Sequence, residues 1–278
     1  MGCIYAEGIY VKKDINYAIY YFNLASNLNL KEAQHLLGVL YLEIKDINKA
    51  IHYLTLSANQ NDSKAQRDLG NIYCEGKYVK QDLIKGIHYF KLSAGQLDPR
   101  ALFKLAFFHL YGLYVDKDIT KAIHYFSLAS NKNDASSQMI LGFFYINGWY
   151  VQKNVKKGFN MFLLSTKNGE RFSFLTLGYM FHEGVHVQRD IRQAIYYYKE
   201  GSSFNNAYCK NNLGVIYKTG IEGYVVPNTA IAVEYFEEAI KKNNDYLAMY
   251  NLAIIHIYDD SIKSDLDKAI NLLINASN

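Results

Sequence analysis

Residues 62–98 read DSKAQRDLGNIYCEGKYVKQDLIKGIHYFKLSAGQLD, and the stretch spells out two helices and the turn between them. Ala65, Leu69, Gly70 and Tyr73 fall at helical spacing and form one stripe. Gly76 closes that helix, because a chain leaving a helix through a left-handed conformation does so most cheaply at glycine. Asp82 then offers the side-chain acceptor favoured at a helix start, and Gly86, Tyr89, Phe90 and Ser93 belong to the helix that follows. A small residue set among large rings lets neighbouring helices approach closely and interlock.

The same pattern returns along the whole 278-residue chain. Leu-Gly or Leu-Ala pairs mark it at Leu37-Gly38, Leu69-Gly70, Leu105-Ala106, Leu141-Gly142, Leu177-Gly178, Leu213-Gly214 and Leu252-Ala253. Four of the six steps are 36 residues, the first is 32 and the last 39. Met1-Gly2 fits the same register. The expected organisation is one array over 1–278: a truncated unit 1–30, then 31–62, 63–98, 99–134, 135–170, 171–206, 207–246 and 247–278. A small residue stands five before each Gly or Ala (Ala33, Ala101, Cys209), and a ring three after it (Tyr41, His109, Phe181). Asp14, Asp46, Asp82, Asp118, Asn154, Asp190, Asn228 and Asp265 are the expected N-caps of the second helices. Asp98-Pro99 adds a cap followed by Pro at the first helical position. Two departures fall between helices, where length changes cost little. Glu43-Ile44-Lys45-Asp46 runs almost straight into its second helix, and Gly220 to Pro227 is a longer connection.

The spaced set Ala65, Leu69, Gly70, Tyr73, Gly76, Val79, Asp82, Lys85, Tyr89, Phe90 and Ala94 resembles the Sel1-like repeat family, and so do Ala101 to Ala129. The resemblance covers essentially the full chain. It implies an all-α fold, an α-solenoid of stacked antiparallel helix pairs related to tetratricopeptide arrays. It also implies an adaptor or scaffold that holds protein partners rather than an enzyme. Secreted cysteine-rich members pair cysteines inside each unit, and this chain has no such pairs.

Composition agrees with a packed, intracellular protein. Half of the residues are hydrophobic and 20% charged, which supports a core and argues against disorder. Three cysteines cannot build a disulfide framework, so a reducing, cytoplasmic setting is expected. No signal peptide or membrane span stands out. The net charge of +4 lacks the clustered excess of a nucleic-acid binder, and no nucleic-acid partner is expected. The 26 tyrosines accompany many Asn, Ile and Lys residues, which reads as a compositional bias of an A/T-rich genome.

Motifs that suggest chemistry dissolve in the repeat. His182-Glu183-Gly184-Val185-His186 has the form H-E-x-x-H, in which both histidines must share one helix face. Gly184 is a helix-stop glycine, so His186 is expected in a turn, and neither a metal nor a cofactor is expected. His52, His88 and His124 share one repeat position and read as surface or packing residues. Met1-Gly2-Cys3 lacks the Ser or Thr at position six of an acylation signal, having Ala6.

What remains is the face of the first helices, which lines the concave side in related arrays. Its exposed positions are expected at minus six, minus three, plus one, plus four and plus five from each Gly or Ala. Around Gly70 these are Lys64, Arg67, Asn71, Cys74 and Glu75; around Ala106 they are Arg100, Phe103, Phe107, Leu110 and Tyr111, with Lys104 beside them. Lys64, Arg67, Arg100 and Lys104 with Asn71, over a floor of Phe103, Phe107 and Tyr111, suit a peptide carboxylate or acidic side chains. These residue types resemble the carboxylate clamp of some tetratricopeptide proteins. Further on, the same face is expected to turn apolar at Phe143 and Ile146, then polar at Asn211, Lys218 and Thr219. Single-stranded RNA binding, a zinc enzyme built on His182, Glu183 and His186, and a purely structural or degenerate repeat stay open as alternatives. Self-association through exposed repeat ends is also expected, because an uncapped array leaves apolar surface there.

Overall fold

A computed structural model describes residues 1–259 and 264–277; residues 260–263 and 278 of the last expected unit lie outside the described residues. The described residues form sixteen helices arranged as eight pairs. The first helices of the pairs are α1 (Gly2–Glu7), α3 (Lys31–Glu43), α5 (Ser63–Glu75), α7 (Pro99–Tyr111), α9 (Ala135–Asn147), α11 (Arg171–Glu183), α13 (Ala207–Thr219) and α15 (Tyr246–Tyr258). Their partners are α2 (Ile15–Asn27), α4 (Ile47–Asn59), α6 (Leu83–Gly95), α8 (Ile119–Asn131), α10 (Val155–Lys167), α12 (Ile191–Ser203), α14 (Thr229–Asn243) and α16 (Leu266–Ser277). Among the described residues no strand occurs, only an isolated bridge between Ile221 and Val225.

Every second helix begins on the Asp or Asn that spacing assigns to its start. The side chains of Asp82, Asp118 and Asn154 accept the backbone N–H three residues on, and Asp14 and Asp190 accept two such bonds each. The cap residue also ties the turn. Its own N–H donates to the carbonyl of the ring residue of the first helix, as from Asp82 to Tyr73 (3.0 Å) and from Asp190 to Phe181 (2.9 Å). Gly76 leaves α5 at φ 63° and Gly184 leaves α11 at φ 72°, the left-handed values that glycine tolerates. In the short connection Lys45 takes that role at φ 62°, and in the long one Ile221 and Val225 exchange backbone bonds of 2.8 Å.

The chain divides into two compact halves, Met1–Ser137 and Gln138–Asn278. In the first, α3 packs on α2, α5 on α4 and α7 on α6, burying Phe22, Leu37, Leu54, Leu69, Phe90 and Leu105. In the second, α11 packs on α10, α13 on α12 and α15 on α14, burying Phe162, Leu177, Tyr198, Leu213, Phe236 and Leu252. In six pairs the recurring ring three past the Gly or Ala stacks on a tyrosine of its own pair's second helix. Tyr41–Tyr53 (5.5 Å, 6°), Tyr73–Tyr89 (6.0 Å, 8°) and Phe181–Tyr197 (5.7 Å, 4°) are examples, so part of the tyrosine excess has a packing role.

A second recurring device joins the far end of three of the pairs. The residue four before the Gly or Ala reaches the end of the second helix of its own pair. Gln60 donates to Gln34 (2.7 Å), Gln96 to Gln66 (2.7 Å) and Asn168 to Gln138 (2.9 Å). Where the amides are replaced, Phe174 stacks on Phe204 at 5.3 Å instead. The first-helix amides Gln34, Gln66 and Gln138 are buried, and a buried amide left unpaired costs free energy, whereas their partners Gln60, Gln96 and Asn168 are half-buried or exposed.

Candidate functional site

The first-helix face of α5 and α7 gathers most of the predicted residues. Arg67, Asn71, Arg100, Phe103 and Lys104 line one cleft of about 330 Å³, together with Asp68, Asp134 and Ser136. Lys64 is exposed just outside it, and Tyr111 is exposed at the far end of α7. Phe103, Phe107 and Tyr111 stand one turn apart, with ring centroids 5.1 and 5.2 Å from their neighbours. The floor is anchored from below, because Phe103 and Phe107 both meet the edge or face of buried Phe126. An adjoining cleft of about 250 Å³ shares Asn71 and Lys104 and reaches down to Phe90 and Phe108.

The cations of this face are of two kinds. Arg67 is committed to the protein. Its Nε and Nη2 donate to Asp68 Oδ1 (3.1 and 3.0 Å) and its Nη1 to Asp98 Oδ2 (3.2 Å), while His35 Nε2 meets the other oxygen of Asp68 at 2.8 Å. Its side chain is only 15% exposed. The expectation of Arg67 as a free carboxylate donor therefore gives way to a bracing role. Asp98 does double duty, since its Oδ1 also caps α7 through the N–H of Ala101 (2.9 Å). Lys64, Arg100 and Lys104, by contrast, make no ion pair among the described residues and are exposed.

Three positions expected on this face are not there. Cys74, Leu110 and Ile146, all at plus four, are buried. That position points into the junction with the second helix. A methyl on Gly86 would meet Cys74 Sγ at 2.4 Å, and one on Gly158 would meet Ile146 Cγ1 at 2.5 Å. Asn211 is likewise buried, where it accepts from Asn251 (2.9 Å), and Lys218 pairs with Asp259. Burial pushes the Cys74 thiol up to about 11 and the Cys209 thiol up to about 12, so neither supplies a thiolate nucleophile at neutral pH.

A feature missed by the sequence reading lies in the second half. Arg171, Phe172, Tyr208 and Tyr246 border a cleft of about 270 Å³ at the starts of α11, α13 and α15. Phe172 and Tyr208 occupy the same minus-six register as Lys64 and Arg100, so extending the register past Ala106 would have found them.

The H-E-x-x-H stretch does not sit on one helix face. Glu183 is the last residue of α11, Gly184 its left-handed cap, and His186 lies in the turn at φ 67°. Among the described residues no three His, Cys, Asp or Glu side chains are grouped to hold a metal ion. His52, His88 and His124 are exposed, each beside the tyrosine that follows it. Among the described residues no helix is long and apolar enough to cross a membrane.

Comparison with known proteins places this geometry. The Sel1 repeat model matches residues 1–30, 31–62, 63–96, 99–134, 135–170, 177–203, 207–244 and 247–278. The crystal structure of c5321, a protective antigen of uropathogenic Escherichia coli with an SLR fold, is 23% identical over 99% of this chain, with a TM-score of 0.78. This chain spans 60% of that protein's length. A Sel1 repeat protein from Oxalobacter formigenes is 24% identical over 86% of this chain and 97% of its own, with a TM-score of 0.79. The immunity protein PA5088 of Pseudomonas aeruginosa is more distant, 14% identical over 71% of this chain and 74% of its own, at a TM-score of 0.51. No curated protein matches the chain.

Proposed function

The chain belongs to the Sel1 repeat family, and from that premise we propose that it is a non-catalytic adaptor whose repeat array, residues 1–278, holds an acidic protein or peptide segment on the face of α5 and α7. Sel1 repeats commonly mediate protein–protein interaction and generally serve as non-catalytic scaffolds. The observation that carries the reading is the pair Arg100 and Lys104, exposed and without ion-pair partners among the described residues, beside the ring ladder of Phe103, Phe107 and Tyr111. Arg100 offers a planar fork to a carboxylate, Lys104 a point charge, and the rings supply apolar area at low entropic cost. Asn71 adds an amide at the cleft wall. Arg67 and Asp68 hold the wall in place rather than meeting the partner. An intracellular setting fits the three unpaired cysteines, two of them buried.

The test compares binding of the wild-type chain and an Arg100→Glu/Lys104→Glu variant to an array of acidic, neutral and basic peptides. Acidic peptides should bind the wild type, weaken at least about tenfold in the variant, and weaken with added salt as exposed charges are screened. Equal binding by both proteins, or a preference for single-stranded RNA over every peptide, would sink the reading.

A further inference from the structure

Two buried carboxylates that cap first helices are treated differently. Asp98, 9% exposed at the start of α7, uses both oxygens: Oδ1 accepts the N–H of Ala101 (2.9 Å) and Oδ2 a guanidinium N–H of Arg67 (3.2 Å). Asp62, at the start of α5, also uses both, accepting the N–H of Lys64 (2.9 Å) and the hydroxyl of Ser57 (2.8 Å). Asp245, 6% exposed at the start of α15, uses one. Its Oδ1 accepts the N–H of Ala248 (2.8 Å), and its Oδ2 has no partner among the described residues. An unpaired oxygen on a buried carboxylate is costly. Both donors that serve the other caps come from the preceding repeat, the place that α13 and α14 take for Asp245. There the counterpart of Arg67 is Asn211, which bonds Asn251 (2.9 Å) instead, and the counterpart of Ser57 is Ala239. Asp134, whose Oδ2 is also without a partner among the described residues, is only half-buried and stays within reach of water.

Asp245 stands in the wall of the cleft of about 270 Å³ that Phe172, Tyr208 and Tyr246 border. All three rings are exposed, and those of Phe172 and Tyr208 lie 6.5 Å apart with 41° between their planes. The volume falls below the ~300–1,000 Å³ of pockets for drug-sized ligands and suits a single side chain. We propose that the cleft takes an arginine side chain of a partner protein, its guanidinium on Asp245 Oδ2 and its flat face against the rings. The inference goes beyond the acidic-segment reading and does not depend on it. A carboxylate beside aromatic faces is cation-recognition chemistry, because the ring face attracts positive charge and a planar guanidinium stacks on it. Arg67 on Asp98 is the same contact made within the chain. It shows that the start of a capped helix accepts a guanidinium despite the partial positive charge there. The cleft's other charged lining residue, Arg171, is exposed and belongs to α11, two first helices away from Asp245. Lys210 of α13 is held by Glu238 (2.8 Å) and does not neutralise Asp245.

The probe is an end-blocked peptide with one arginine among glycines, set against the same peptide with citrulline, which keeps the shape and loses the charge. Titrated to roughly 10 mM and followed by amide chemical shifts, the arginine peptide is expected to saturate the signals of Tyr208 and Tyr246. The citrulline peptide should bind at least about tenfold more weakly. Asp245→Asn retains a capping oxygen, as Asn206 does at α13, so helicity should be unchanged while arginine binding falls at least about tenfold. Tyr208→Ala should weaken binding as well, and Arg171→Ala should leave it intact. The Arg100→Glu/Lys104→Glu variant should bind the arginine peptide like the wild type, so this inference and the acidic-segment reading fail separately. No saturable shift, equal binding of the citrulline peptide, or indifference to Asp245→Asn would overturn the assignment. Binding lost in Arg171→Ala and kept in Asp245→Asn would overturn it too, by giving the cleft to a carboxylate.

Discussion

Arg67 and Lys64 lie three residues apart on α5, both basic and both pointed to by the same spacing, yet they do different things. The Arg67 guanidinium joins α5 to the start of α7 by bonding Asp68 and Asp98, and His35 of the preceding repeat extends the chain of contacts. Removing it leaves half-buried Asp68 with His35 alone and buried Asp98 with only its capping bond, and the loss of one partner of such a set costs more than the set contributes. Arg67→Ala is therefore expected to lower stability by about 2 kcal/mol, read as a lower urea midpoint at unchanged slope. Lys64→Ala should fall within about 0.5 kcal/mol of wild type, as exposed substitutions do. If the two variants matched, the bracing role of Arg67 would be untenable.

Element boundaries follow from local chemistry, and the same chemistry predicts how the helices respond to acid. Asp46 and Asp118 lie below the usual carboxylate range, chiefly because each accepts the backbone N–H three residues ahead, from Lys49 and Lys121. A carboxyl group with a depressed folded-state pKa contributes stability above its unfolded value of about 3.9, and that contribution disappears as the pH falls through the folded value. The urea midpoint should accordingly fall as the pH drops below about 4, and Asp118→Asn, which keeps a capping oxygen, should flatten that fall in part. An unaltered pH profile in that variant would show that the cap at α8 contributes nothing to acid sensitivity. These caps, the glycine stops and the register were legible in the sequence because each depends on residues within a few positions of one another. The burial of Cys74, Leu110 and Ile146 was not. Plus four and plus five are neighbours on a helix, and which of them faces the groove depends on how the second helix crosses, as the close approach of Cys74 to Gly86 shows. The commitment of Arg67 was hidden for a related reason: Asp98 was assigned wholly to capping, while its second oxygen reaches a residue 31 positions away. The amide pairs Gln34–Gln60 and Gln66–Gln96 escaped notice because no single repeat reveals a pairing that only their joint recurrence makes visible.

For the whole molecule, the cysteines are fortunately distributed. Cys74 lies in Met1–Ser137 and Cys209 in Gln138–Asn278, both buried with thiols raised by burial, whereas Cys3 is exposed. At neutral pH a thiol reagent should modify Cys3 in the native protein, leaving Cys74 and Cys209 to react as denaturant opens their own halves. Peptide mapping at each denaturant concentration then gives one opening curve for each half. Rapid native labelling of Cys74 or Cys209 would contradict the packing of that half. The first seven repeats each contain both ends of their own turn bond, from cap N–H to ring-residue carbonyl, as between Asp82 and Tyr73. The array can therefore gain or lose length through in-frame exchange of whole repeats, because each copy arrives with its stitching complete. A breakpoint inside the turn is tolerated as well, because the same bond closes the short connection between Tyr41 and Asp46 and the long one between Tyr217 and Asn228.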